Sequence, residues 1–396
     1  CGPTFWSTPC TAPPSRAAAP SRWAHRRRCP AAPTAEVRLG VAAALVGGVV
    51  VPGDVEVDAS DGTVARVGLA PAAAGGTAVP GLVDLQVNGV GAHDLRTCGP
   101  EGFDEAAVEL AAGGATAAQP TFHSQELPAH LRSLEVLAEV RARGGPGAAW
   151  LPAHLEGPFL SRRWAGAHDP AHLLDPDPGA CERLLAAGPV GFVTIAPELP
   201  GGLDLVRLLA ARGVVVSIGH TDADARMTTA AIEAGARHLT HCWNAHRRLT
   251  ARDPGPAGVA LTDERLVVGL VGDLVHVAPE VVRLTLRAAG GRVAVTTDVV
   301  AVGQGIEVAS GAARRSDGSL AGGVARPDDC LRNLVSVGAS LAAAVDACGG
   351  VQRRLLGLPD VRLRPGDPAD LTVLDDGLRV VRTLRAGREV WRAGAA

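Results

Sequence analysis

The sequence predicts an α/β protein in which a (β/α)8 TIM barrel carries a small β-sandwich domain built from both chain ends. Three observations predict this fold. Short apolar runs alternate with helical stretches from about residue 80 to 356, as in parallel α/β proteins. Both chain ends instead carry short strands separated by turns. The central apolar runs end in His, Asp or Glu, and barrel enzymes place their chemistry at that end of each strand.

The composition is that of a globular enzyme. The 396 residues suit one large catalytic domain with a smaller partner. A net charge of −3 argues against a nucleic-acid or acidic-membrane partner, and no apolar run reaches the ~18 residues of a membrane helix. The eight cysteines show no CxxC pair, which favours reduced thiols and a cytoplasmic location.

Residues 1–33 differ from the rest of the chain. They mix Pro, Ala, Ser and Arg and contain no acidic residue. A targeting peptide is one interpretation, but the segment lacks the apolar core of a secretory signal. We predict a disordered or non-native extension and exclude it from the fold.

The β-sandwich is predicted in two parts, at residues 34–79 and 357–396. The first part has apolar alternation with Gly and Asp-Gly turns between four runs, at 36–39, 45–51, 55–58 and 63–67. The second part has three such runs, at 370–374, 378–384 and 389–391. A small sheet is unstable alone, so we expect the two parts to pair.

The barrel is predicted over residues 80–356. Helical stretches separate eight candidate strands: Leu82–Asn88, Thr116–Thr121, Ala148–Glu156, Gly191–Ala196, Val214–Gly219, Arg237–His241, Leu266–Val271 and Arg292–Asp298. Predicted helices include Glu105–Ala112, Leu131–Val140, Leu203–Arg212, Ala223–Ala234 and Glu280–Ala289. A doubly wound open sheet is the alternative, but no strand is followed by GxGxxG, which weakens a dinucleotide-binding interpretation.

Four ionisable residues stand at the ends of separate strands: Glu156, His220, His241 and Asp298. A single histidine at a strand end is more often an ordinary hydrogen-bonded residue, but four ionisable residues at separate strand ends indicate a functional site. Carboxylate and imidazole are suitable ligands for an ion such as Zn²⁺. Three protein ligands leave a position for water, whose pKa falls toward about 7. Asp298 is then a natural general base.

Several motifs carry a family resemblance. In order they are PGLVDLQVNG (80–89), HLEGP (154–158), TIAPE (194–198), GHT (219–221), THCWNA (240–245) and Thr297-Asp298. From about residue 36 to the C-terminus, the chain resembles the N-acetylglucosamine-6-phosphate deacetylases of the amidohydrolase superfamily. The resemblance implies the same barrel and β-sandwich. It also implies hydrolysis of a sugar-phosphate acetamide in amino-sugar catabolism.

The resemblance implies roles for the site residues. Glu156, His220 and His241 would hold one divalent metal ion, either zinc or iron. Asp298 would take a proton from water and later protonate the leaving amine. His168 would polarise the acetyl carbonyl.

The resemblance also implies how the sugar phosphate is bound. His276, Asn244 and Ala245 would contact the substrate. Arg252 would reach the phosphate bound by the neighbouring subunit, which implies a homodimer. A guanidinium suits this role because it offers two parallel donors to a phosphate.

The first strand carries Gln86 and Asn88 where many amidohydrolases have His-x-His and bind a second metal. Amides are poor ligands beside imidazole, so we expect one metal, with Gln86 and Asn88 forming hydrogen bonds around the site. His154 is expected to support the site without binding the metal.

The chain departs from the family beside these residues. His246-Arg247 replaces Met-Pro after Ala245, and Leu274 and Val299 replace the usual Gly and Ala. These positions shape the substrate pocket. Two alternatives therefore stay open: a divergent amidohydrolase for another N-acyl sugar or a cyclic amide, and a non-catalytic paralogue.

Overall fold

The computed structural model describes residues 36–303 and 305–394, which belong to one compact unit. The extension predicted at residues 1–33 lies outside the described residues. The described part begins with six short strands: β1 (Glu36–Arg38), β2 (Ala43–Val46), β3 (Val49–Pro52), β4 (Asp54–Asp58), β5 (Thr63–Leu69) and β6 (Thr77–Pro80).

A parallel barrel follows. Its strands, with one short hairpin (β8 and β9), are β7 (Leu82–Val87), β8 (Gly89–Val90), β9 (His93–Asp94), β10 (Ala115–His123), β11 (Ala149–Trp150), β12 (Ala153–Glu156), β13 (Val190–Ile195), β14 (Val215–Ile218), β15 (His238–Leu239), β16 (Val267–Val271) and β17 (Val293–Thr296). β11 and β12 both pair with β10 and form one interrupted strand.

The barrel is nearly closed. The order runs from β7 through β10 and then along the chain to β17. The ends meet where the Asn88 N–H donates to the Val299 carbonyl at 2.8 Å. The predicted (β/α)8 barrel is confirmed, and the doubly wound alternative is wrong.

Helices cover the outside of the barrel. They are α1 (Pro100–Ala112), α2 (Leu127–Arg143), α3 (Pro178–Ala187), α4 (Gly202–Ala211), α5 (Ala225–Ala234), α6 (Gly255–Thr262), α7 (Pro279–Ala289), α8 (Pro327–Ser336), α9 (Leu341–Val345) and α10 (Val351–Leu355). Most begin with proline in the first turn, where its missing N–H has no helical partner to lose. None of these described helices has the length and apolarity needed to cross a membrane.

An antiparallel sheet is inserted between β17 and α8. It consists of β18 (Ile306–Ala309), β19 (Ala312–Arg315) and β20 (Leu320–Gly322), and residues 306–322 are called the flap below. Residues of all three strands line the cavity described below. Sequence patterns predict no strand in this segment.

The two chain ends share a sheet. The last strands are β21 (Leu371–Leu374), β22 (Val380–Arg385) and β23 (Arg388–Arg392), and the six-stranded order is β23-β22-β21-β6-β2-β3. A second sheet, β1-β4-β5, shares an apolar core with it that includes Ala44, Val57 and Leu371. This is the small β-sandwich predicted from both ends, although the residue boundaries of the domains stay predictions.

A chain of polar side chains lies inside the barrel. His154 Nε2 lies 2.7 Å from Thr194 Oγ1, which lies 2.8 Å from Thr240 Oγ1. Ser217 Oγ lies 2.5 Å from Thr240 Oγ1 and 2.9 Å from His238 Nδ1, and so links these two residues. Every member is buried. We call this chain the polar layer.

Candidate active site

Three predicted ligands converge at the carboxyl ends of the barrel strands. Glu156 ends β12, and His220 and His241 follow β14 and β15. Glu156 Oε1 lies 3.0 Å from His241 Nε2 and 3.3 Å from His220 Nε2. The two imidazole nitrogens are 3.1 Å apart. Within the described ranges, this buried trio is the one group of His, Cys, Asp and Glu side chains with metal-binding geometry.

The spacing of the trio fits a tetrahedral ion. Bonds of about 2.0–2.2 Å at tetrahedral angles separate ligand atoms by roughly 3.3–3.6 Å. The three distances, 3.0 to 3.3 Å, come close to that range. One carboxylate and two imidazoles also form a donor set that divalent ions such as zinc accept. The residues therefore suit a divalent metal ion.

Neighbouring groups orient the trio. His220 Nδ1 lies 2.8 Å from the Trp164 carbonyl, so it carries the proton and leaves the Nε2 lone pair facing Glu156. Gln86 Nε2 donates to Glu156 Oε1 at 2.9 Å. Burial opposes ionisation of Glu156, but the neighbouring His168, His220 and His241 outweigh it and hold the pKa of Glu156 well below the usual range.

The turn before His220 requires a glycine. A Cβ on Gly219 would come within 2.6 Å of Thr194 Cγ2 and 2.9 Å of Thr240 Cβ. These threonines belong to the polar layer that fills the barrel beneath the site. The Gly-His pair of the sequence motif thus reflects close packing at this strand end.

Asp298 follows β17 and faces the same space. Asn88 Nδ2 donates to its Oδ1 at 2.9 Å. Burial, with the nearby Glu156 charge, raises the pKa of Asp298 to about 7. A carboxyl group that can gain and lose a proton near neutral pH suits general acid–base chemistry.

His168 comes from the loop after β12. The Ser124 backbone N–H donates to its Nδ1 at 3.1 Å, so in the neutral ring the proton lies on Nε2. Nε2 is 3.5 Å from Glu156 Oε2. His168 therefore presents an N–H beside the trio, as a group that polarises a carbonyl must.

One cavity of about 710 Å³ joins most of the predicted residues. Its lining includes Asn88, Glu156, His168, His220, His241, Asn244, Ala245, His276 and Asp298. Gln86 is absent from this lining and contacts the site through Glu156. Arg252 is exposed and also lies outside the lining.

Unpaired polar atoms remain in this lining. Asn244 Nδ2 and Asn88 Oδ1 are buried and have no hydrogen-bond partner among the described residues. His276 is instead fixed, because its Nδ1 lies 2.6 Å from Asp273 Oδ2. Burial lowers the pKa of His276, but Asp273 outweighs it and raises that pKa above the usual value. Two lining residues thus keep an amide donor and an amide acceptor that have no partner within the described residues.

Two other polar residues at strand ends have structural roles. His154 lies two residues before Glu156, so both point into the barrel, and His154 lies one layer deeper, within the polar layer. Glu198 accepts from the Asp222 N–H at 2.6 Å and from the Thr221 hydroxyl. Neither residue lines the cavity.

Sequence reasoning missed several contributors. The Ser124 N–H and the Trp164 carbonyl act through backbone atoms, which no residue pattern reveals. Arg96 and Arg315 line the cavity from a loop and from the flap. Arg315 carried no sequence signal, because no strand was predicted for the flap.

A barrel with a carboxylate, two imidazoles and a buried aspartate at its strand ends defines a hydrolase of the amidohydrolase type. No family model matches the chain. Human N-acetylglucosamine-6-phosphate deacetylase is 34% identical over 79% of this chain and 83% of its own. N-acetylgalactosamine-6-phosphate deacetylase of Escherichia coli O157:H7 is 31% identical over 78% and 85%.

A solved structure supports the same family assignment. A mutant N-acetyl-D-glucosamine-6-phosphate deacetylase from Mycobacterium smegmatis, in complex with N-acetyl-D-glucosamine-6-phosphate, is 34% identical to this chain. It superposes with a TM-score of 0.84 over 90% of this chain and 99% of that one. The chain belongs to the N-acetylglucosamine-6-phosphate deacetylase family.

Proposed function

We propose that this protein hydrolyses the acetamide of N-acetylglucosamine 6-phosphate to glucosamine 6-phosphate and acetate, in amino-sugar catabolism. One observation carries the proposal. Around a single cavity, a chain of this family brings together a metal-binding trio, a buried carboxyl group with a raised pKa and an imidazole N–H. A non-catalytic paralogue has no need of this combination.

We propose Glu156, His220 and His241 as ligands of one divalent ion, with zinc as the first choice and iron as the alternative. Such an ion would lower the pKa of water toward about 7 and so provide hydroxide at neutral pH. Gln86 supports the assignment of a single metal. Gln86 occupies a position where two-metal amidohydrolases have a histidine ligand, and its amide instead donates a hydrogen bond to Glu156 at 2.9 Å.

The protein's own groups would move the protons. Asp298 takes a proton as water adds its oxygen to the acetyl carbon. The His168 N–H faces the acyl oxygen, where negative charge develops. Asp298 then gives its proton to the amine nitrogen, the C–N bond breaks, and acetate and the free amine result. Asn88 holds Asp298 in place throughout.

The remaining predicted residues would bind the sugar phosphate. We propose that His276, Asn244 and Ala245 contact the sugar, which the cavity lining supports. Arg252 lies in an exposed loop, and Leu249 beside it is 44% exposed. Both suit a homodimer in which the partner subunit's Arg252 completes the phosphate site. Free thiols at the five described cysteines support a cytoplasmic location.

N-acetylgalactosamine 6-phosphate is a second candidate substrate. A deacetylase with that name is 31% identical to this chain over 85% of its own length. The loop after Ala245 also carries His246-Arg247, where the resemblance predicted Met-Pro. The two substrates differ only in the configuration at C4, so the ratio of their kcat/KM values decides between them.

An acetate-release assay on both sugar phosphates tests the proposal. We expect activity in the wild type, with Asp298→Asn lowering kcat by roughly 10²–10⁴-fold, because the variant cannot accept the proton. Metal content measured on both proteins should be equal, since Asp298 is not one of the three ligands. If metal-loaded wild type released no acetate from either substrate, the proposed function would be wrong.

A further inference from the structure

The substrate phosphate would add about two negative charges to a cavity whose lining already includes four carboxylates, those of Asp94, Glu156, Asp169 and Asp298. Two arginines line the same cavity, Arg96 and Arg315. Arg96 is already neutralised by Asp94. Its Nε donates to Asp94 Oδ1 at 3.1 Å and its Nη2 to Oδ2 at 2.7 Å. Arg96 therefore has little charge to offer a ligand.

Arg315 has no comparable partner. Among residues 36–303 and 305–394, no carboxylate forms an ion pair with it. Asp317, two residues further on, instead accepts from the Ser319 N–H at 2.9 Å and the Ser319 hydroxyl at 2.6 Å. The Arg315 guanidinium donates one N–H to the carbonyl of Ala167, another residue of the cavity lining. Its remaining N–H groups stay available.

The contact with Ala167 places Arg315 close to the proposed sugar-phosphate contacts. Gly166, the residue before Ala167, lies against Ala245, since a Cβ on Gly166 would meet the Ala245 Cβ at 3.4 Å. Asn244, next to Ala245, has the buried Nδ2 with no partner in the described ranges. A cation and a free amide donor thus occur at one edge of the cavity.

We propose that Arg315 binds the substrate phosphate from within the same subunit and determines specificity for phosphorylated sugars. This inference rests on the proposed function. A guanidinium can pair with two phosphate oxygens at once, and its charge offsets that of the ligand. The flap would thereby place one cation on the phosphate, and the partner subunit's Arg252 would add another.

The test compares N-acetylglucosamine with its 6-phosphate as substrates of the wild type and of Arg315→Ala. For the phosphorylated substrate, we expect kcat/KM to fall roughly 10–100-fold, mainly through KM, as for loss of a hydrogen-bonded charge. For the unphosphorylated substrate, we expect little change. Arg315→Lys should restore part of the loss, because it keeps the charge without the paired donors.

Arg314→Ala is the matched control. The Arg314 guanidinium donates to flap carbonyls instead, those of Gly318 at 2.9 Å and Ala309 at 3.4 Å. A general disturbance of the flap would lower the rates of Arg314→Ala and Arg315→Ala alike, on both substrates. That result would overturn the proposal.

Calorimetric titration tests the binding role of Arg315 independently of catalytic activity. Glucosamine 6-phosphate and glucosamine are titrated into wild type and Arg315→Ala, so no turnover is needed. We expect the wild type to bind the phosphorylated sugar more tightly, and Arg315→Ala to lose roughly 10–100-fold of that preference. An inactive wild type would refute the proposed function alone. An unchanged preference in Arg315→Ala, or none in the wild type, would refute the role of Arg315.

Discussion

At the scale of single residues, four proposed site residues have backbone angles that L residues seldom adopt, among them two metal ligands and the acid–base residue. The φ angles of His220, His241 and Asp298 are +47°, +28° and +50°. Each follows a barrel strand, and each such conformation costs on the order of 1–3 kcal/mol. The surrounding packing must hold them there. Conformational strain is therefore present at residues proposed to bind metal and to transfer protons.

His168 allows a prediction at this scale. We expect His168→Gln to lower kcat by about 10²–10³-fold, the range for losing one donor to a developing oxyanion. Metal content should stay at the wild-type level, because His168 is outside the trio. The assay is acetate release, with metal analysis of the same samples. Asp175→Asn, on the same loop but exposed and outside the cavity lining, serves as control, and an equal loss in both variants would contradict the role.

At the scale of elements, the polar layer links four barrel strands beneath the site. The layer contains His154 from β12, Thr194 from β13 and Ser217 from β14. It also contains His238 from β15 and Thr240, the residue directly after β15. Thr194 is central because its hydroxyl contacts both His154 and Thr240. Both of these neighbours are buried, so bulk solvent does not reach them to replace that partner.

We therefore predict that Thr194→Val lowers the free energy of unfolding by about 2–3 kcal/mol, since removing one partner leaves buried polar groups unsatisfied. Thr228→Val is the matched control. The equally buried Thr228 hydroxyl donates only to a helix carbonyl, that of Asp224 at 2.8 Å, so its loss should cost about 1 kcal/mol or less. Denaturant unfolding measures both. Equal losses would show that the polar layer adds no stability of its own.

Most strands and helices of the barrel could be predicted from the sequence, because the pattern that marks each of them lies within a few neighbouring residues. The barrel strands were predicted nearly at their observed bounds, because apolar runs ending in Gly or Pro mark buried parallel strands. α6 was missed because Gly255–Thr262 is almost wholly buried and shows no polar face. The flap was missed because its short strands lack clear alternation.

The site was predictable to a similar extent. Residues at strand ends, such as Glu156 and His241, could be placed together because barrel topology gathers strand ends at one rim. Contacts that depend on distant loops could not. The Ser124 N–H on His168 and the Arg315 contact with Ala167 join segments far apart in sequence. The domain boundaries at 79/80 and 356/357 stay predictions.

At the scale of the whole molecule, several histidines are buried as neutral rings. Burial lowers the pKa of His130 and of His238 to about 3 each. These folded-state values lie below the ordinary value of about 6.5. As the pH falls, the unfolded chain therefore takes up protons before the folded one, and stability is lost from about pH 6.5 down to about pH 3.

We predict that the denaturant midpoint of the wild type falls steadily between pH 7 and pH 4. His130→Gln should weaken this dependence by roughly 3 kcal/mol over that interval, given about 1.4 kcal/mol per pKa unit. Glutamine keeps an acceptor for the Gln125 N–H, which His130 Nε2 binds at 3.3 Å. Unfolding curves at four pH values give the measurement, and an identical slope in the variant would refute the assignment.

The pairing of β6 with β21 also has a consequence for biosynthesis. Leu371 lies opposite Pro80 in the shared sheet, so the partner of β6 is synthesised about 290 residues later. At about 5–20 residues per second, the ribosome needs roughly 15–60 s to supply it. Until then β6 lacks a neighbour on one side, while the barrel strands emerge in order and can already pair. The early sheet therefore waits with one open edge on the nascent chain, where chaperones have time to bind it.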